Sequence, residues 1–326
     1  MKPYAMGPPE RGNPQEPESL AAEVQGGSDE LGKLPARVER LSLAKRRACE
    51  NLSYLERVES PISLDSYRAR LRHCGCYLVF RHFYTQGFVR LASAQFCQLP
   101  LLCPFCAIRR ASKALTAYLA RYRTIMQDHP ELIFSHVTMT VKNGPDLAER
   151  FDHLKAAMKE IRKRRTRALS GSRDVTEWVK AFAIVGSYEF TNKGRGWHPH
   201  AHMCVLHSEA FDYSAMREEW QRLTGDSHVF RVERARHPED PAIDFLEVFK
   251  YALKFSDLTP AQCVDAWLIL RGRNLMFSVG GFRGVQVPEH LTDDLPPEDL
   301  PYIEYLYRYL NHRYQLSKTH EHKPEA

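Results

Sequence analysis

Three histidines alternate in Trp197-His198-Pro199-His200-Ala201-His202-Met203. Alternate side chains of a β-strand share a face, so His200 and His202 would project together as a clip for a divalent metal. The plainer alternative is a histidine pair that only lines a sheet surface. His198 shares the face but borders a loop and is followed by Pro199, so it ranks below the other two. Glu189 lies near the end of the preceding strand, from which a long hairpin could return its carboxylate toward the pair, and it is the candidate third ligand. Mixed imidazole and carboxylate ligation suits Mn²⁺ or Mg²⁺ with positions left open for substrate oxygens, whereas imidazoles alone would also accept Zn²⁺ or Ni²⁺.

A second constellation is Glu247, Tyr251 and Lys254, whose spacings of four and three put an acid, a phenol and an amine on one helical face. Alone it would be a surface ion-pair stripe with an embedded tyrosine. A phenol with a reference pKa of about 10 is a poor nucleophile at neutral pH unless its target is polarised, which a metal on a phosphate would achieve. Lys254 could then stabilise developing negative charge, and Glu247 could serve as base for an attacking water. Attack by Tyr251 would leave a phosphotyrosine ester that keeps the energy of the broken linkage, so a strand could be resealed without a nucleotide.

Five of the eight cysteines fall between Cys74 and Cys106. Cys97, Cys103 and Cys106 offer three thiolates for tetrahedral Zn²⁺ in a structural role, with Cys76 as the fourth and Cys74 as the alternative to it. The competing reading is a set of reduced, buried thiols. Cys49, Cys204 and Cys263 are isolated and read as packing residues. Arg109 and Arg110 follow Cys106 closely. Between Lys155 and Arg173 eight basic residues, among them Arg162, Lys163, Arg164 and Arg165, face one acidic residue, Glu160. Both groups are candidate DNA-binding residues.

These groups need elements to hold them. Residues 1–40 are rich in Pro and Gly and read as a disordered tail. Residues 41–130 read as a helical and cysteine-rich zinc-type module for DNA binding. Within residues 131–256, a β-branched strand over 132–141 and the turn Asn143-Gly144-Pro145-Asp146 lead into the basic helix. Strands over 178–190 and 199–207 flank a Gly-rich hairpin loop. A helix over 212–223, a strand over 228–232 and a helix over 241–255 follow. The order β, α, β, β, α, β, α predicts an α+β fold, an antiparallel sheet with a split βαβ core and helices on one side, plus the cysteine module. Residues 257–326 read as a C-terminal helical support region and tail, with Tyr302, Tyr305 and Tyr309 at helical spacing as packing residues.

Three segments in this order resemble the HUH endonucleases, and specifically the rolling-circle plasmid replication initiators that pair one tyrosine with a glutamate. They are Phe134 through Asn143, Gly196-Trp-His-Pro-His-Ala-His-Met203, and Glu247 through Lys254. Cys103-Pro-Phe-Cys106 with Arg109-Arg110 extends the likeness, which covers roughly residues 74–284. Ala201 departs from it, since a bulkier apolar residue is usual between the histidines. The resemblance implies an HUH nicking-joining domain at 131–256 in which His200 and His202 hold the metal and Tyr251 is the nucleophile. Glu247 directs a terminating water, and Glu189 matches an acidic position before the histidines. It further implies a metal-dependent DNA endonuclease and strand transferase that nicks plasmid origin DNA, single-stranded or cruciform, through a 5′-phosphotyrosine intermediate, with a host helicase and polymerase as partners. A rolling-circle transposase is the near alternative, but that class pairs tyrosines and no second one lies a turn from Tyr251. A non-catalytic zinc-dependent nucleic-acid-binding regulator is the alternative of another class.

The 326 residues carry a formal charge of +6, a mild bias, and a length compatible with one large domain or two ordinary ones. No run of about 18 apolar residues and no secretory leader is legible, which points to a bacterial cytoplasmic protein with no membrane partner.

Overall fold

In the computed structural model, which describes residues 30–60, 62–237, 240–249, 257–296 and 299–324, the chain forms seven α-helices and two antiparallel sheets among those residues. Helix α1 (Glu30–Leu55) buries Leu34, Val38, Leu41, Ala48, Leu52 and Leu55 along one stripe. Residues 30–40, expected as tail, therefore belong to a helix, while residues 1–29 lie outside the described part. Helix α2 (Asp65–His73) ends at Cys74, and Gly75, at a φ of 64°, turns the chain into strand β1 (Tyr77–Phe83) and its partner β2 (Phe88–Ala94). Helix α3 (Pro104–Asp128) starts directly after Cys103, with proline in its first turn where a missing N–H costs nothing.

The main sheet follows. Strand β3 (Ile133–Thr140) leads to helix α4 (Leu147–Leu169), capped by the Asp146 carboxylate, which accepts from the Ala148 and Glu149 N–H groups at 2.7 and 3.1 Å. A 3₁₀ turn, Glu177–Lys180, opens β4 (Ala181–Asn192), which forms a hairpin with β5 (Trp197–His207). Helix α5 (Tyr213–Thr224), strand β6 (Phe230–Arg234), helices α6 (Pro241–Phe249) and α7 (Pro260–Leu270) and strand β7 (Met276–Gly280) complete this part. The strand order is β6-β3-β5-β4-β7, antiparallel throughout, and the expected alternation from β3 to α6 is observed.

Along β3, β4 and β5 the pleat separates two chemistries. Val137, Met139, Tyr188, Phe190, Ala201 and Met203 face α4 and α5 in one apolar core. On the other face Ala183, Val185, Cys204 and Leu206 pack under α3 and α6, so helices occupy both faces rather than one. Past Cys204 that second face turns polar, with Thr138, Glu189, His200 and His202.

The C-terminal region departs from expectation. Residues read as a tyrosine-rich helix are strand β8 (Tyr302–Leu310), which pairs with β9 (Arg313–His322) and with β1. The second sheet runs β2-β1-β8-β9. Tyr305, Tyr307 and Tyr309 alternate, and the first two lie opposite Phe80 and Leu78, so period two, not the helical spacing of Tyr302, Tyr305 and Tyr309, decides the conformation. Of the three tyrosines expected to pack, Tyr305 and Tyr309 lie against the core together with Tyr307, whereas Tyr302 stands on the other face of the sheet.

Candidate metal centre

The β4–β5 hairpin places Glu189 directly opposite His200, with Ser187 opposite His202. Its loop is shaped by the Asn192 side chain, which accepts from the Gly194 N–H at 3.1 Å, and by Gly196 at a φ of 87°. A side chain at Gly196 would stand 2.6 Å from the Gly144 carbonyl oxygen, so only glycine lets β5 start against that loop.

Glu189 Oε1 lies 3.4 Å from His200 Nε2 and Glu189 Oε2 lies 3.3 Å from His202 Nε2. Ligands about 2.1 Å from a common ion would be about 3.0 Å apart at octahedral and 3.4 Å at tetrahedral angles, so these three donors fit a divalent cation. Tautomers agree with that use. His200 Nδ1 is 3.2 Å from the His198 carbonyl oxygen, which can only accept, so Nδ1 carries a proton, and Nε2 is the nitrogen turned to Glu189, able to donate to its carboxylate or, once deprotonated, to offer a lone pair to an ion. His202 Nδ1 stands 3.2 Å from Thr138 Oγ1, which can take the same role. His198 thus contributes its backbone and is not one of the three clustered donors.

Electrostatics in the cluster follow from burial. Desolvation alone would raise the Glu189 pKa, but the hydrogen bonds and charges of His200 and His202 outweigh it and hold the carboxyl well below the usual range. Burial lowers the His202 pKa, opposed by Glu189 and also by Glu247. Glu247 is exposed on α6, one residue before Val248. Ser187 Oγ donates to the Val248 carbonyl, tying α6 to β4 beside His202. Tyr251 and Lys254 lie outside the described residues.

Sequence reasoning gave no role to Ser187, Thr138, Arg231, His136 and Asp244. Thr138 is opposite His202 on one side and Arg231 on the other, so Ser187, His202, Thr138 and Arg231 form a row across four strands, ending in an exposed guanidinium at the sheet edge. His136, two residues from Thr138, binds the buried Asp244 carboxylate at 3.1 Å, and Asp244 also accepts from the Arg236 and His237 N–H groups. The alternation His136, Thr138, Thr140 puts these side chains on one face of β3, but that this face meets the histidines follows from the register of β3 with β5.

A second donor set lies in the N-terminal part. Cys74, Cys97, Cys103 and Cys106 are all buried, with sulfur–sulfur distances of 3.5 Å from Cys74 to Cys106, 3.6 Å from Cys74 to Cys103 and 3.5 Å from Cys97 to Cys106. Tetrahedral zinc with bonds of about 2.3 Å would space its sulfurs by about 3.8 Å, so this group could hold a zinc ion. Hydrogen bonds from the other thiols push Cys106 far toward the thiolate, while burial pushes Cys103 up. Cys76, the expected fourth ligand, is exposed and bonds the Arg72 carbonyl at 3.5 Å. The turn at Gly75 sends Cys74 inward and Cys76 out, which corrects that assignment.

The expected DNA-binding residues divide. Arg109 is buried and bonds Asp293 and, at 2.8 Å, the Leu291 carbonyl, so it reaches no phosphate. Arg110 binds the Pro288 carbonyl at 2.7 Å. Arg164 is held by Glu219 and the Val175 carbonyl, and Arg165 by the Trp178 and Ala181 carbonyls. These four hold backbone and side chains in place. Arg162 and Lys163 are exposed, but on a helix that packs behind the sheet, on the face away from the triad.

A sequence model described as a replication protein matches residues 88–270, from β2 through α7. The chain belongs to this replication protein family. Membership supports a role in initiating plasmid replication, and the matched segment contains Glu189, His200, His202 and three of the four clustered cysteines. No curated protein and no solved structure matches the chain. Among the described residues no helix is long and apolar enough to cross a membrane.

Proposed function

We propose that this member of the replication protein family initiates rolling-circle replication of a plasmid by nicking and rejoining origin DNA, as an HUH endonuclease with a single nucleophilic tyrosine. The observation that carries the reading is the triad: two imidazoles with their Nε2 atoms turned to one buried carboxylate, on adjacent strands beside α6. Glu189, His200 and His202 would hold Mn²⁺ or Mg²⁺, whose chemistry is to polarise the scissile phosphate. The Tyr251 oxygen attacks phosphorus, forming the Tyr O–P bond as the P–O3′ bond breaks; the phenolic proton is released to solvent, the 3′-oxygen takes one from solvent to leave as a hydroxyl, and a 5′-phosphotyrosine ester remains. Lys254 stabilises the phenolate, and Glu247 orients the water that ends the cycle. Arg231, at the end of the row through His202, supplies a cation for the incoming strand. Zinc in the four-cysteine group would brace the start of α3. Cruciform or single-stranded origin DNA, a host helicase and polymerase and the bacterial cytoplasm complete the proposed setting.

The decisive experiment incubates the purified chain with Mn²⁺ and labelled single-stranded origin DNA and maps the covalent adduct by peptide mass spectrometry. An adduct at Tyr251, lost in Tyr251→Phe while DNA affinity is kept, is the expected result. Cleavage retained by Tyr251→Phe would remove the tyrosine from its role, and tight binding without cleavage would favour the regulator reading.

A further inference from the structure

The second sheet has two unlike faces. Helix α1 covers one: Arg37 lies over the Phe80 ring, Lys45 over the Tyr309 ring, and Ser42 accepts from the Tyr314 N–H. The strand registers put a different set on the other face, including Tyr77, Arg81, Arg90, Tyr302, Arg308 and Lys318. Among the described residues no helix packs extensively there; α1 is the one set against this sheet.

This open face is basic. Arg81, Arg90, Arg308, Arg313 and Lys318 stand on it against one carboxylate, Glu304, which is taken by Arg81 at 3.2 Å. Arg90 bonds Glu30 at the rim at 2.9 Å, and His322 bonds Asp299 at 3.0 Å. Arg308, Arg313 and Lys318 are exposed and have no carboxylate partner among the described residues. Two of the guanidiniums rest on rings: Arg81 lies 4.5 Å from the centre of Tyr302 and Arg90 lies 4.3 Å from that of Phe88. Rings and guanidinium planes are the surfaces on which unstacked bases lie, and unpaired cations on a neighbouring strand pair are what a phosphate backbone needs.

We infer that the open face of the β2-β1-β8-β9 sheet is a second DNA-binding surface, one that takes single-stranded DNA apart from the metal centre. It rests on the replication reading only in that the ligand is DNA. The strand released by nicking, or the unpaired arm of an extruded origin, has the required chemistry. Duplex DNA lacks the exposed base faces that the arginine–aromatic stacks would meet.

The test uses the full chain, a labelled 20-nucleotide single strand and the matching duplex, without added divalent metal, over a salt series. Arg308→Glu with Lys318→Glu should weaken single-strand binding at least tenfold and reduce the log–log salt slope by about 1.4, the loss of about two phosphate contacts at roughly 0.7 each. Duplex affinity should stay within twofold. Arg308→Gln with Lys318→Gln, checked for native melting, should show the same slope change with a smaller loss. Unchanged affinity and slope in both variants would overturn the inference. An equal loss on duplex, or no single-strand binding by the unmodified chain, would overturn it as well. Because no cleavage is scored, failure to find an adduct at Tyr251 would leave this outcome intact.

Discussion

His200 owes its aim to a backbone carbonyl, whereas His202 depends on one hydroxyl, that of Thr138. Thr138→Val keeps the shape and removes the acceptor, so Mn²⁺ affinity measured by calorimetry should fall about 10- to 100-fold with little change in melting temperature. Arg231→Gln should leave Mn²⁺ affinity unchanged and lower kcat/KM for nicking, because the side chain stands at the sheet edge, two strands from His202. Equal activity in that variant would exclude it from substrate binding. The histidine pair and its carboxylate were legible in the sequence because strand alternation fixes which side chains meet. Thr138 and Arg231 were not, because cross-strand neighbours depend on a register that no local pattern encodes. The same holds for Arg109: its place after Cys106 reads as a phosphate contact, and only the fold reveals that Asp293, far along the chain, already neutralises it.

At the scale of elements, β4 lies closely between β5 and β7. A methyl at Gly186 would come within 2.5 Å of the Phe277 ring, 2.7 Å of Met203 and 2.9 Å of the His202 carbonyl oxygen. Gly186→Ala should therefore shift the histidine strand, lowering both metal affinity and stability by about 1–3 kcal/mol in a chemical melt. Elements with an unambiguous period were readable: the β-branched β3, the capped α4, and the hairpin with its Asn and Gly loop. The sequence Tyr302-Ile-Glu-Tyr-Leu-Tyr-Arg-Tyr-Leu310 supports both periods. Its conformation is fixed by pairing on both sides, with β9 through a hairpin and with the distant β1, and β1 with β2 was itself hidden among cysteines whose metal chemistry dominated the reading.

Across the whole molecule, the Asp293 carboxylate gathers distant pieces. It binds Arg37 of α1 at 2.8 Å, Arg109 of α3 and the Leu91 N–H of β2. Burial alone would raise its pKa, but the two arginines hold it far below the usual carboxylate range. Its stabilising effect is thus fully present above the unfolded value of about 3.9 and is lost as pH falls from there toward the folded value. Asp293→Asn should cost about 3–5 kcal/mol near neutral pH, since it leaves buried Arg109 uncompensated. It should also flatten the loss of stability below about pH 4 in an acid titration followed by circular dichroism. The pairing of β1 with β8 carries a further consequence for how the chain is made. Tyr77 must find Arg308, and at about 5–20 residues per second a ribosome needs roughly 10–50 s to deliver that partner. Throughout that interval the nascent β1–β2 hairpin holds an open hydrogen-bonding edge, so stalled chains released short of β8 should be the species that proteases and chaperones capture first.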